Sequence, residues 1–430
     1  MRNIKGVLTL TLITVLLIGS ISVFAAANKK YEGESLKILA AKHFLFDAVK
    51  EVIPKFERET GAKVDVTEVD ATRLYDKIKL NVSSQKSSYD VVMVDMIWLG
   101  EFGKRRNLLL PLKDHLSEGY DLDDIIDTYL KADSMYDGKL YTLPIGVQGT
   151  FLAYRRDIFE KYGEVPPQTM EELMETAKSI YEKSDGEIYG ITLRGRRGHG
   201  IVFSWSQFLW AFGGQPMNYE TMKPTLDSDE AVESLEFYVE LLNSAGPPDV
   251  GSYTFDSMFS SWTQGSAAMY LDASVAGFWE KGAIPEISGK IGYDIMPRKK
   301  GEPHTGSLGG WGLGVPAASS NQSLAVDFIQ FASNKENAEV LIENGRAAIR
   351  ESTFSDQEVS SEYWWYPKLE MVAKVGEPNF RPRIPEYPQL EQALGKELSA
   401  ALSGIKEPKE ALKDANEQWR EILSEAGYYE

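Results

Sequence analysis

The chain contains no cysteine, so no disulfide can hold it together and stability must come from burial. The same absence removes the acyl-carrying residue that a lipid-anchored bacterial protein needs directly behind its leader. Histidine is scarce as well, with four residues, and without thiols a structural zinc or iron-sulfur site is excluded from the expectations. Positive charge is in deficit: 46 Lys and Arg stand against 64 Asp and Glu, a formal net charge of -18. A surface that acidic repels phosphate, which argues against nucleic acid and anionic membrane as partners. Long apolar runs are missing except at the start, where Val7 to Ile18 is interrupted only by three threonines. Gly19, Ser20 and Ser22 end that run short of the roughly 20 residues that a spanning helix needs. Arg2 and Lys5 before it and Ala25, Ala26 and Ala27 after it give the order of a secretory signal, expected to occupy residues 1–27. The mature protein is therefore expected outside the cytoplasm, unanchored, in a periplasm or similar enclosed space.

What the chain does have is length, apolar content and aromatics. Some 400 mature residues suggest two units, because single cores stop growing beyond about 250 to 300 residues, and 43% hydrophobic residues are ample for both. Leu36 to Ala40 reads as a buried strand. Val49, Val52, Ile53 and Phe56 then recur at helical spacing up to Gly61, with Pro54 awkwardly inside. Lys63 to Val69 alternates as a strand, a helical stretch around Leu74 and Ile78 follows, and Val91 to Val94 is a continuous buried strand. Strand, helix, strand, helix, strand predicts an α/β unit built on a mainly parallel sheet, whose ligand lies beyond the carboxyl ends of the strands near His43 and Asp95.

A second unit begins near Pro144. Phe151 to Tyr154 and Ile188 to Leu193 read as strands; Thr169 with Glu172, and Asp227 with Glu230, predict capping boxes ahead of amphipathic helices. The loop Arg194-Gly195-Arg196-Arg197-Gly198-His199-Gly200 is basic and glycine-rich, and is either a solvated turn or a ligand contact. Further strands are expected at Ala268 to Leu271, Ile291 to Ile295 and Trp311 to Val315. The run Gly309-Gly310-Trp311-Gly312 lacks the lysine and following helix of a phosphate-binding loop, and its glycines suit a backbone crossing between units.

Phe56-Glu57-Arg58-Glu59-Thr60-Gly61, Tyr89-Asp90-Val91-Val92 leading to Asp95 and Trp98, and Tyr136-Asp137-Gly138-Lys139-Leu140-Tyr141-Thr142-Leu143-Pro144 carry a resemblance. So do Ala153-Tyr154-Arg155-Arg156-Asp157, Gln264-Gly265-Ser266-Ala267-Ala268-Met269 and the glycine-tryptophan run ending in Pro316-Ala317-Ala318. In this order, behind an export signal, they resemble the extracellular solute-binding proteins of bacterial carbohydrate ABC importers, the superfamily of the maltose-binding protein. The Arg194 to Gly200 loop and the segment Arg381 to Tyr387 look most like its polyol and small-sugar branch. The resemblance implies two α/β lobes, each a mainly parallel sheet flanked by helices, that close on a solute in the cleft between them. By analogy one lobe takes residues 34–146 and 267–312, and the other 147–266 and 313–430. It also implies no catalysis, no cofactor, a monomer, a carbohydrate ligand, and ABC permease subunits as partners.

A sugar or polyol presents C–H faces and a rim of hydroxyls, so its site needs flat aromatics and polar groups that pair with hydroxyls. Trp98, Trp205 and Trp311 are candidate platforms, with core packing as the alternative for each. Asp95 and Asp272 follow strands and can accept paired hydroxyls or cap a helix. Arg350 and Arg383 can donate forked bonds or simply form ion pairs. His43 lies in the first strand-to-helix loop, Gln148 is just beyond Pro144, and Arg194 and Arg197 belong to the basic loop. Two rivals stand beside a neutral sugar or polyol: an acidic sugar or other small solute, held by the loop arginines, and a secreted glycosidase using two carboxylates. No nucleophile elbow, histidine metal pair or P-loop supports the enzyme.

Overall fold

A computed structural model of the chain describes residues 29–82, 86–146, 148–273, 285–343 and 349–429; the expected signal at 1–27 lies outside them. Among the described residues no helix is long and apolar enough to cross a membrane.

The first unit forms as its pattern dictates. β1 (Ser35–Ala41) buries Leu36, Ile38, Leu39 and Ala40 completely, and β2 (Lys63–Val69) and β3 (Val91–Asp95) lie parallel to it on either side. Between β1 and β2 the helix Phe44–Thr60 starts at His43, whose Nδ1 accepts the Leu45 N–H, and stops at Gly61, left-handed at φ 80°. Pro54 does not break this helix, because it sits on the exposed side where water can reach the carbonyl it leaves without a partner.

A short hairpin of β4 (Met135–Tyr136) and β5 (Lys139–Leu140) precedes β6 (Thr142–Pro144). The chain then moves to a second sheet with β7 (Gln148–Arg155) and β8 (Tyr189–Thr192), makes a small hairpin of β9 (Met217–Asn218) and β10 (Lys223–Pro224), and returns to that sheet with β11 (Ala267–Ala273) and β12 (Ile291–Ile295). β13 (Leu308–Gly309) still pairs with β7, but β14 (Trp311–Gly314) pairs with β3 and β6 of the first sheet. The sheet orders are β2-β1-β3-β14-β6 and β12-β7-β11-β8.

Two expectations change here. The segment expected to rejoin the first unit at 267 does not: β11 and β12 pair with β7, and the return comes only at Gly310. Nor does 313–430 stay together, because the helices Gln322–Ala332 and Lys335–Glu343 pack on Phe44–Thr60 beside the first sheet, whereas Tyr366–Val375 packs on β7 and β12. Strand direction also differs between the sheets. β1, β2 and β3 are parallel, but β12, β7 and β11 alternate in direction and only β8 runs parallel to β11. Strands covered on both faces are uniformly apolar whichever way they run, so their pattern carries no direction.

Helix signals are obeyed to within a residue. Thr169 and Glu172 form the capping box of Met170–Lys183, whereas the next cap is Ser228, not Asp227, its hydroxyl accepting the Ala231 N–H. The last two helices, Tyr387–Leu402 and Pro408–Glu425, pack on each other, and the buried Trp419 donates its indole N–H to the Leu390 carbonyl at 2.8 Å. The first of these helices also packs on His199–Ala211, which closes the second lobe beneath the basic loop.

Candidate functional site

The loops that leave β1, β3 and β8, the start of β14 and the coil before Tyr387–Leu402 converge between the two sheets. There they enclose a cavity of about 390 Å³. This is the position that strand topology predicts, beyond the carboxyl ends of the parallel strands.

One wall belongs to the first sheet. Trp311 opens β14 opposite Asp95 at the end of β3 and leaves only 9% of its surface exposed, at the cavity. It is fixed from behind by Trp98, edge to face at 5.4 Å, and Trp98 rests in turn on Tyr75 and Phe102. His43 stands 5.5 Å from the Trp311 ring, with Lys42 before it at the rim. Asp95 caps the turn Met96–Trp98 by accepting the Ile97 N–H at 3.3 Å on Oδ1, and the same oxygen accepts from Arg381 Nη2 at 3.3 Å.

The opposite wall is built around two arginines with different fates. Arg194 lies flat over Phe203 at 4.6 Å and Phe255 at 5.0 Å, and its fork is spent on Asp272: Nε reaches Oδ2 at 2.6 Å and Nη2 reaches Oδ1. Asp272 is completely buried on β11. Arg381 is nearly as buried, yet Nε and Nη1 have no hydrogen-bond partner among the described residues. A buried guanidinium at a cavity wall with two unpaired donors is costly unless a ligand or water completes it. His199, at the start of its helix, pairs through Nδ1 with Glu391 at 2.9 Å, and Glu391 also accepts from the Tyr387 hydroxyl. Burial pushes the Glu391 carboxyl up, but the His199 contact, the Arg381 charge and the Tyr387 hydroxyl together outweigh it and hold the group below its ordinary value.

Of the residues selected from sequence, His43, Asp95, Arg194 and Trp311 line the cavity. Trp98 supports Trp311 rather than lining it, and Asp272 acts through Arg194. Gln148 begins β7 at the crossing, its backbone registered with Gly309; its side chain lies outside what is described.

Four selections fall elsewhere. Trp205 is wholly buried, its N–H on Ser234, because the helix carrying it is apolar nearly all round. Arg197 is an exposed turn residue. Arg350 is 2% exposed and collects the carbonyls of Ser333 and Asp121 with the carboxylate of Asp124. Arg383 caps the carbonyls of Lys131, Ala132 and Met135. Lys42, His199, Phe203, Phe255, Asp256 and Arg381 line the cavity without having been selected. Three of them had a signal: Arg381 stands two residues from Arg383 in a segment already singled out, and His199 with Phe203 continues the basic loop at helical spacing.

The profile describing bacterial extracellular solute-binding proteins matches residues 46–339. The mannitol-binding protein of Pseudomonas aeruginosa is 27% identical over 83% of this chain and 85% of its own length. Two solved structures of ABC transporter solute-binding proteins superimpose closely. The one from Agrobacterium radiobacter K84, in complex with ribitol, has a TM-score of 0.83 at 28% identity, covering 92% of this chain and 100% of that one. The one from Agrobacterium vitis S4, with bound D-mannitol, has a TM-score of 0.80 at 26% identity over the same shares. With its matched residues supplying strands to both sheets, the chain belongs to the bacterial extracellular solute-binding protein family.

Proposed function

We propose that the protein binds a neutral polyol or small sugar in the cavity between its lobes and delivers it, as a monomer, to the permease subunits of an ABC importer. The observation that carries this is the pairing of a restrained aromatic edge, Trp311, with an incompletely satisfied polar pair, Asp95 and Arg381. The indole suits C–H surface. Arg381 lines the cavity with Nε and Nη1 unpaired and buried just beneath its wall; a small shift of the guanidinium on binding brings these donors to hydroxyl oxygens, and Asp95 Oδ2 offers an acceptor to a hydroxyl proton. The relatives known with mannitol and ribitol support the same solute class.

In this reading Trp311, Asp95, Arg381 and His43 contact the solute, Arg194 and Trp98 shape the walls, and the lobes hinge where the chain passes between sheets, after β6 and at Gly310. An anionic solute has less support, because Arg194 is already neutralised by Asp272 and Arg197 points to solvent. A glycosidase also has less, since Asp272 is locked in an ion pair. Delivery to a permease agrees with the export signal expected at residues 1–27 and with a periplasmic location.

The test is a thermal-shift panel of polyols, mono- and disaccharides and acidic sugars. A solute that binds only the native state, present at about 100 times its Kd, stabilises by about 2.7 kcal/mol. A polyol or neutral sugar is expected to raise the melting temperature; stabilisation by acidic sugars alone would reverse the choice.

A further inference from the structure

Behind the cavity lies a polar group that solute contact does not use. Asp133 sits in the π turn Leu130–Ser134, wholly buried, and neither carboxylate oxygen has a hydrogen-bond partner among the described residues. Turns of this kind occur often at functional positions. Oδ2 lies against Gly310, where the chain crosses between sheets: a Cβ placed there would stand 2.0 Å from it. Arg381, with two unpaired donors, is close enough to interact electrostatically with Asp133 yet is not bonded to it. The two side chains thus approach the crossing at adjacent residues, Asp133 Oδ2 at Gly310 and Arg381 Nη2 3.9 Å from a Cβ placed on Gly309.

The other charged or titratable groups around Asp133 are Asp95 at the end of β3, Arg383 from the coil that carries Arg381, and Tyr129 from the adjoining turn. Tyr136 of β4 is the titratable side chain on the neighbouring hairpin strand; β6, β13, β14 and the turn Met96–Trp98 carry none.

We infer that Asp133 is a positioning residue for solute binding: as a neutral carboxylic acid it leaves Arg381 aimed into the cavity, and on ionising it draws the guanidinium away and weakens binding. This rests on the polyol reading for its effect on affinity, but not for the coupling of Asp133 to Arg381. Burial and the Asp95 charge push the Asp133 carboxyl up to about 8, against the opposing pull of Arg383 and Arg381. A bound solute removes further water and favours the neutral form, so the pKa is higher in the complex than in the free protein. The sign follows. Affinity is fully present below the free-protein value and is lost as pH rises through it, with a proton taken up on binding.

The full chain with labelled Asp carboxyl carbons and Arg Nε, without solute, gives the first readout by NMR. One carboxyl is expected to titrate near pH 8, with the Arg381 Nε–H resonance moving at the same midpoint, and both effects are absent in Asp133→Asn. Mannitol or ribitol calorimetry from about pH 6 to about pH 9.5 gives the second. Affinity falls by up to roughly tenfold per pH unit above the midpoint, with proton uptake, and no longer varies with pH in Asp133→Asn. If that variant does not fold, the parent's carboxyl titration and proton uptake still decide. Titration of Asp133 in the ordinary carboxylate range, an Arg381 resonance indifferent to it, or the same alkaline loss in Asp133→Asn would overturn the inference. Failure of both polyols to bind would strike the proposed function instead, leaving the NMR readout to judge the coupling.

Discussion

Arg194 and Asp272 illustrate how a residue chosen for one role can serve another. Both suit hydroxyl binding, but the fold sets them against each other, the carboxylate completely buried and the guanidinium 13% exposed. Removing one partner of such a pair leaves a buried, uncompensated charge and costs about 3–5 kcal/mol. Arg194→Met is therefore expected to destabilise the protein by about that much in urea unfolding; a loss of solute binding at unchanged stability would return Arg194 to direct contact. His43, Asp95 and Trp311 were legible because each follows or begins a strand whose apolar run marks its end, and strand ends in this topology open on the cleft. Arg350 and Arg383 were not, because most of their partners are backbone carbonyls, of Asp121 and Ser333 for Arg350 and of Lys131, Ala132 and Met135 for Arg383, and sequence does not announce which carbonyls will lie beside a guanidinium.

At the level of elements, helices were read closely because their stop and start signals are local: Gly61, the Thr169 and Glu172 box, and the Ser228 cap that displaced Asp227 by one position. The direction of β7, β11 and β12 could not be read, since pairing is decided by distant segments. Between the last two helices Glu397, 1% exposed, accepts from Lys396 at 2.8 Å, Lys406 at 2.5 Å and Gln418 at 3.1 Å. Burial pushes this carboxyl up, but those hydrogen bonds prevail and bring it down to about 2. A depressed carboxyl contributes stability that is present above its unfolded pKa and lost as pH falls through the folded one, here from about 4.5 to about 2. Unfolding free energy measured against pH is expected to drop across that window in the parent and to drop less steeply in Glu397→Gln. Equal slopes would mean that the contacts add nothing.

The whole molecule depends on how the chain passes between its sheets. Sequence placed glycines and a tryptophan at a crossing near 309–312, and pairing puts the crossing at Gly310, between β13 and β14. What could not be read was that β11 and β12 remain in the second sheet until then, because 267–312 carries no compositional break. The close approach of Asp133 explains why residue 310 has no side chain. Gly310→Ala is expected to cost about 1–3 kcal/mol through overpacking and to weaken solute binding, read by thermal unfolding and calorimetry; full stability would show that the crossing yields easily.

Two walls meeting around one solute is the claim on which the rest depends, and calorimetric titration of mannitol and ribitol into the parent, Trp311→Ala and Arg381→Met examines both walls together. The expected result is saturable one-to-one binding by the parent, weakened by about tenfold or more in each variant, a difference of about 1.4 kcal/mol or more, while both variants unfold cooperatively. Unchanged affinity in both folded variants would contradict it.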